Sequence, residues 1–307
     1  MPAEPHVETK EDPLQERARD RDGTRGGAPA EVGLDRGLGG QDLTTWNTSA
    51  GRAAARSATK ASGRLGPHGA LLVILGIGVL AAFVLSFLVS RVYDAVTEAD
   101  GVAALDLPAL HAAMSLRSPL TNGVAATVAY VFGPIGMPLM AAVACVLLAV
   151  RRRSWTPVIL IVAAGIGSLL MTIAGKDIIQ RHRPPLADAI PPFEYSPSFP
   201  SGHTLNAVVI VGIVAYLLIL RRRTAAARAA TIVITVVVAV GVGLTRLLLG
   251  AHWFTDVLAG WLLGGAWLAV VITAHRLYLT TRHHQARAAV RAGRAAGAEP
   301  LDRGPAS

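Results

Sequence analysis

Residues 69–90 carry no charged side chain and form an apolar run long enough, as a helix, to cross the roughly 30 Å hydrocarbon core of a bilayer. A backbone surrounded by lipid must satisfy its own N–H and C=O groups, so such a run is a helix. Five more apolar runs follow at 133–150, 156–175, 204–220, 224–244 and 257–274. The expected fold class is an all-α, polytopic membrane protein with six transmembrane helices and a helical-bundle core. Residues 106–132 are apolar but interrupted by His111, Arg117 and Pro119. They are expected to form one or two short interfacial or re-entrant helices between spans 1 and 2.

Charge sets the orientation, because basic loops stay on the cytoplasmic side. Arg151-Arg152-Arg153 closes the second run and Arg221-Arg222-Arg223 the fourth. Arg52, Arg56, Lys60 and Arg64 precede the first, and six arginines from Arg276 to Arg303 follow the last. Six spans with both termini cytoplasmic satisfy all of these at once. Loops 91–132, 176–203 and 245–256 then face outward. Residues 1–64 are polar and lack a sustained apolar period, so they are expected to be a disordered cytoplasmic tail. Residues 65–276 form the six-span domain, and 277–307 a disordered basic tail. No cleavable signal is visible near Met1, so the first span is expected to act as an uncleaved anchor.

The chain of 307 residues is 52% hydrophobic with a net charge of +9. Because the arginines flank apolar runs, this charge fits anionic lipid headgroups and not nucleic acid. Cys145 stands alone inside an apolar run, which excludes an intrachain disulfide or a cysteine metal site. The arginine- and alanine-rich, lysine-poor composition suggests a bacterial plasma membrane.

Polar residues concentrate in three outward segments. The first runs from Lys176 through Arg183 to Pro184, the second is Pro200-Ser201-Gly202-His203, and the third is Thr245-Arg246, then His252, then Asp256. Lys176 and Arg183 are seven apart, which on a helix puts them on one face. Ser201 and Gly202 precede an apolar run, where backbone amides and the helix dipole offer a phosphate seat. His252 and Asp256 are four apart, close enough for the carboxylate to hold one ring nitrogen and leave the other open. Arg246 adds a guanidinium fork for phosphate oxygens. The pocket thus carries cations where a metal site would carry carboxylates, so no metal and no cofactor are expected. Trp253 and Trp261 read as interface-belt residues. Asp188, Glu194 and Tyr195 read as solvated loop residues, and Arg181 and His182 receive no role. Gly175-Lys176 is not a Walker loop, because Leu170 stands at the position of the spaced glycine and Asp177 follows the lysine.

These three segments resemble the signature of the type 2 phosphatidic acid phosphatase superfamily, which joins membrane lipid phosphate phosphatases, bacterial acid phosphatases and vanadium haloperoxidases. Lys176, Arg183 and Pro184 match its first part, residues 200 to 203 its second, and Arg246, His252 and Asp256 its third. Thr245 stands where the family usually has serine and keeps the hydroxyl. The resemblance covers about residues 69–276.

The resemblance implies that His252 attacks phosphorus to form a phosphohistidine, that Asp256 orients it, and that His203 protonates the leaving alkoxide. It implies further that Lys176, Arg183, Ser201, Gly202 and Arg246 hold the phosphoryl oxygens, without a metal. The expected substrate is a lipid phosphate: phosphatidic acid, phosphatidylglycerol phosphate or undecaprenyl diphosphate. Two alternatives stand beside hydrolysis. One is phosphotransfer from the same intermediate. The other is a catalytically silent lipid-binding or transport protein.

Overall fold

The computed structural model describes residues 37–38, 41–65, 84 and 101–297. The first expected span, 69–90, therefore lies outside the described residues but for Val84. The described chain is helical apart from a hairpin of two two-residue strands, β1 (Gly37–Leu38) and β2 (Gln41–Asp42), paired antiparallel. The helices are α1 (Ser49–Leu65), α2 (Asp106–Ser115), α3 (Pro119–Val131), α4 (Gly136–Arg152), α5 (Thr156–Ile179), α6 (Gly202–Ile219), α7 (Ala225–Leu248) and α8 (Phe254–Gly297).

Four of these, α5 to α8, are long and apolar enough to cross a membrane. A fifth candidate is the pair α3 and α4, bent by 58° at their junction. All four expected runs from 156 onward thus fall on single helices. The second run, 133–150, falls largely on α4, and 106–132 breaks into α2 and α3. Ser118 caps α3 by accepting from the Thr121 amide, with Pro119 opening the helix.

The bundle is arranged around α6. More than half of its span is buried (56%), against 22–33% for α5, α7 and α8. Leu205, Val209, Ile213 and Leu217 recur every fourth residue, are fully buried, and pack with Leu160, Ile161 and Ala164 of α5 and Leu263 and Val271 of α8. The outer helices present large apolar side chains outward instead, such as Ile166 and Leu170 on α5 and Val233 and Val237 on α7. A surface of that kind suits lipid rather than water. Residues 207–211 of α6 form a π-helical turn just past the Pro200-to-His203 segment. Such widened turns recur at functional sites.

Two glycines set the approach of α5 and α8 to the start of α6. A Cβ on Gly260 would lie 2.9 Å from Thr204 Cβ and 3.0 Å from the Ser201 carbonyl. One on Gly175 would meet the Pro200 ring at 2.5 Å. Hydrogen at both positions lets two helices close on the Pro200-to-His203 segment.

The tails differ from expectation. Residues 49–64, expected to be disordered, are helical in α1, and α8 runs without a break past 276 to Gly297. Both stretches are rich in alanine and arginine, which favour helix without supplying an apolar face. Gly51 and Ala58 of α1 are buried, while Arg52, Arg56 and Lys60 are exposed. The segment before α1 is tied to α8: Arg276 donates to the Leu43 and Thr45 carbonyls at 3.1 and 2.9 Å, and its guanidinium lies 4.4 Å from the Trp46 ring centre.

Candidate active site

The three polar segments meet at one end of the bundle, where α5 and α7 end and α6 and α8 begin. The Arg151–153 and Arg221–223 triplets stand at the other ends of α4, α6 and α7.

α5 ends at Ile179 because Gln180 adopts a left-handed conformation, with φ of 49° and ψ of 32°. The expectation that Lys176 and Arg183 share a helix face is therefore corrected. Lys176 lies on the last turn of α5, whereas Arg183 lies in the irregular chain beyond it. The chain after Gln180 sends Arg181 and Arg183, two apart, into the same region. Lys176 Nζ donates to Ser196 Oγ at 3.0 Å and to the Pro197 carbonyl. Its contacts are thus with the loop before Pro200 and not with the two histidines.

His252 is 1% exposed and Asp256 is fully buried. The His252 Nδ1 lies 3.3 Å from Asp256 Oδ2. Its Nε2 receives an N–H from Arg183 Nη1 at 3.2 Å. An arginine only donates, so Nε2 is the lone-pair nitrogen and Nδ1 carries the proton toward Asp256. Asp256, in the first turn of α8, also accepts from the Trp253 amide at 2.9 Å and from the Ser198 hydroxyl. Its other oxygen accepts from Arg181 Nη1 at 2.5 Å. Arg181 in turn bridges to Asp106 at 2.6 Å, and Asp106 accepts from the Thr255 amide and hydroxyl at 2.8 and 3.0 Å.

His203 is nearly buried at 9% exposure. Its Nε2 lies 3.1 Å from the Ala129 carbonyl, which can only accept, so Nε2 carries a proton and Nδ1 faces the pocket. Ser201 is fully buried, and its amide donates to the Asp256 carbonyl at 3.1 Å. The expected use of the Ser201 amide as a phosphate donor is corrected accordingly: it joins α6 to α8, and the orphan amides of the helix start at Gly202. Arg246 is fully buried on the last turn of α7 and donates to Glu194 through Nη2. Among the described residues its Nε and Nη1 are buried without a hydrogen-bond partner.

Glu194 joins these parts. One oxygen accepts from Arg246 and lies 3.5 Å from His203 Nδ1. The other pairs with Arg183 Nη2 at 2.8 Å and lies 3.7 Å from His252 Nε2. Burial disfavours its charge, but the His252 ring and the charges of Arg246 and His203 outweigh that and hold the carboxyl well below the usual carboxylate range. A cavity of about 400 Å³ opens beside it, lined by Arg183, Phe193, Tyr195 and Ala251 among others.

Sequence reasoning gave no role to Arg181, Ser198, Asp106 or Glu194. Trp253 and Trp261 also do more than mark an interface. Trp253 donates to the His182 carbonyl at 2.9 Å, with Arg181 stacked over its ring, and Trp261 donates to the Ala239 carbonyl at 3.0 Å. Arg117 fastens the outer loop by donating to the Leu248 and Asp188 carbonyls.

Residues 156–278 match the PAP2 superfamily profile, a stretch that contains every one of these side chains except Asp106 and Arg117. Phosphatidylglycerophosphatase B of Bacillus subtilis (strain 168) is 30% identical over 180 residues, 58% of this chain and 87% of that protein. The crystal structure of the first transmembrane PAP2 type phosphatidylglycerolphosphate phosphatase from Bacillus subtilis superposes with a TM-score of 0.56 at 27% identity, covering 62% of this chain and 92% of that one. Shared sequence over most of a relative's length, together with a shared helical fold, means that this chain belongs to the PAP2 superfamily.

Proposed function

We propose that this PAP2-family phosphatase is a membrane enzyme that hydrolyses the phosphomonoester or terminal diphosphate of a lipid through a phosphohistidine on His252, without a metal. The observation that carries the reading is the pair of rings on Glu194. His252 Nε2 and His203 Nδ1 reach different oxygens of one anion that Arg183 and Arg246 also hold. A phosphoryl group in that place meets a nucleophile, a proton donor and two guanidinium groups together.

His252 Nε2 attacks phosphorus while Asp256 stabilises the developing imidazolium through Nδ1. The P–O bond to the lipid breaks, and the leaving alkoxide takes the Nδ1 proton of His203, which enters this step as the imidazolium with Nε2–H still held by the Ala129 carbonyl, its second proton supplied by the phosphate monoanion on binding. Water, deprotonated by His203, then cleaves the P–N bond and releases inorganic phosphate. Arg183 and Arg246 carry the equatorial charge, with Lys176 and the Gly202 amide at the margin of the pocket. The site's carboxylates face arginines: Asp256 and Asp106 face Arg181, and Glu194 faces Arg183 and Arg246. That donor set supports charge stabilisation by guanidinium in place of a metal.

Lipid as the substrate class is supported by the helices around the site, whose outer faces are apolar. The related Bacillus enzyme is named for phosphatidylglycerophosphate; phosphatidic acid and undecaprenyl diphosphate offer the same terminal phosphoryl chemistry. The arginine triplets at the far ends of the helices support cytoplasmic termini and a site on the outer face. Phosphate release from a panel of these three lipids by the purified protein in detergent tests the reading. Full activity with excess EDTA is the expected result, and loss restored by a divalent cation would overturn the metal-free mechanism.

Arg181 acts through Asp256, as a positioning residue. Arg181→Ala is expected to lower kcat/KM by about 10- to 100-fold, by analogy with the partners that orient metal-bound histidines from one layer behind. Arg181→Lys keeps the charge opposite Asp256 and is expected to recover part of the loss, which falls on kcat with KM little changed. A loss that lysine does not recover, or one that falls on KM alone, would mean that Arg181 does not act through Asp256.

A further inference from the structure

Glu194 occupies the place where the reaction above needs a phosphoryl group. We propose that this carboxylate is a built-in competitor for the phosphoryl seat, and that it makes the site select phosphomonoester and terminal diphosphate lipids over the phosphodiesters of bulk membrane lipid. The proposal rests on the phosphatase reading of the same pocket.

Occupant and seat are mismatched in a specific way. A carboxylate brings one charge and two oxygens. One of those oxygens takes an N–H from Arg246 and the other pairs with Arg183 Nη2 at 2.8 Å, while the remaining donors of Arg246, Nε and Nη1, stay buried without a partner among the described residues. A phosphomonoester or a terminal diphosphate group brings up to two charges and three terminal oxygens. It can replace both carboxylate contacts and still offer an acceptor to the unpaired guanidinium nitrogens. A phosphodiester brings one charge and two free oxygens, the same as Glu194. The exchange gains it nothing in charge or hydrogen bonds, and a half-buried anion held by two guanidinium groups must be displaced to make it. Selectivity thus arises from what the occupant fails to satisfy.

The chain around Glu194 allows the exchange. The Ile190 amide donates to the Leu249 carbonyl at 2.8 Å, and the Ser196 carbonyl accepts from Arg183 Nε at 2.7 Å. Between these two anchors Phe193 and Tyr195 are exposed, at 44% and 84%, while Glu194 turns inward between them. The side chain can swing toward the adjoining cavity while both anchors hold.

The test uses the full-length protein in detergent micelles, with phosphatidic acid as substrate, inorganic phosphate as a competing anion and phosphatidylglycerol as a phosphodiester lipid. In Glu194→Gln the KM for phosphatidic acid and the Ki of phosphate are both expected to fall about tenfold or more, as follows from removing an occupant that fills the seat roughly nine-tenths of the time. Phosphatidylglycerol should become a competitive inhibitor of the variant while leaving the wild type unaffected. Glu194→Asp keeps the charge but shortens its reach, and should shift the same quantities in the same direction by less. It serves as the second variant if the glutamine form does not fold. A KM and Ki that stay level or rise overturn the proposal, as does equal inhibition of both forms by phosphatidylglycerol. Failure of the phosphatase reading looks different: wild-type protein would then release no phosphate from any of the lipids.

Discussion

His252→Ala is expected to abolish phosphate release, with a loss in kcat of about 10⁴- to 10⁶-fold, the scale seen when the nucleophile of a coupled catalytic set is removed. The size follows from how completely the ring is prepared. One nitrogen is committed to a buried carboxylate, and the other keeps its lone pair on the pocket side, where Arg183 Nη1 donates to it at 3.2 Å. Ser198, whose hydroxyl lies 3.5 Å from Nδ1, is no replacement, since it is already bonded to Asp256. Asp256→Asn keeps the shape but can no longer accept the Nδ1 proton as an anion, and should cost about 10⁴-fold. Rapid quenching of the wild type with ³²P-labelled lipid should trap an acid-labile, base-stable phosphoprotein that His252→Ala lacks. An undiminished rate in His252→Ala, or a labelled intermediate that survives the substitution, would sink the covalent mechanism.

His203→Gln is expected to lower kcat by on the order of 10²- to 10⁴-fold with a lipid alcohol as leaving group, the usual contribution of a positioned acid. An alkoxide leaves poorly without a proton. A phenolate with electron-withdrawing groups leaves well, so the deficit should shrink toward tenfold with p-nitrophenyl phosphate. Glutamine can still donate to the Ala129 carbonyl, which keeps the local structure while removing the proton transfer. An equal deficit for both substrates would assign His203 to phosphate binding instead of acid catalysis.

The parts of this protein that were legible in its sequence are those governed by local rules. Bilayer-length apolar runs placed α5 to α8, because a lipid-facing helix has to be apolar along its length. The residues His203, Arg246, His252 and Asp256 were legible as a set because their spacings repeat a known signature, and the structure brings them to one end of the bundle. What escaped was long-range. Arg181 meets Asp106 and Asp256 across 75 residues of sequence in each direction, and Glu194 meets Arg246 across 52. No periodicity encodes such pairs. The proline at 184 predicts a helix that carries Arg183 on its face, whereas a left-handed Gln180 ends the helix four residues earlier. The helical parts of the tails escaped because alanine faces carry little hydrophobic contrast, and loss of apolar character ends a span without ending a helix.

The helix that begins beside Asp256 continues for 44 residues. At 1.5 Å per residue it is about 66 Å long, roughly twice the thickness of a hydrocarbon core. A helix that leaves the bundle without a hinge is a mast. A soluble domain spliced in register onto its far end would inherit the orientation of the bundle, giving a small membrane protein the size and asymmetry that single-particle alignment requires.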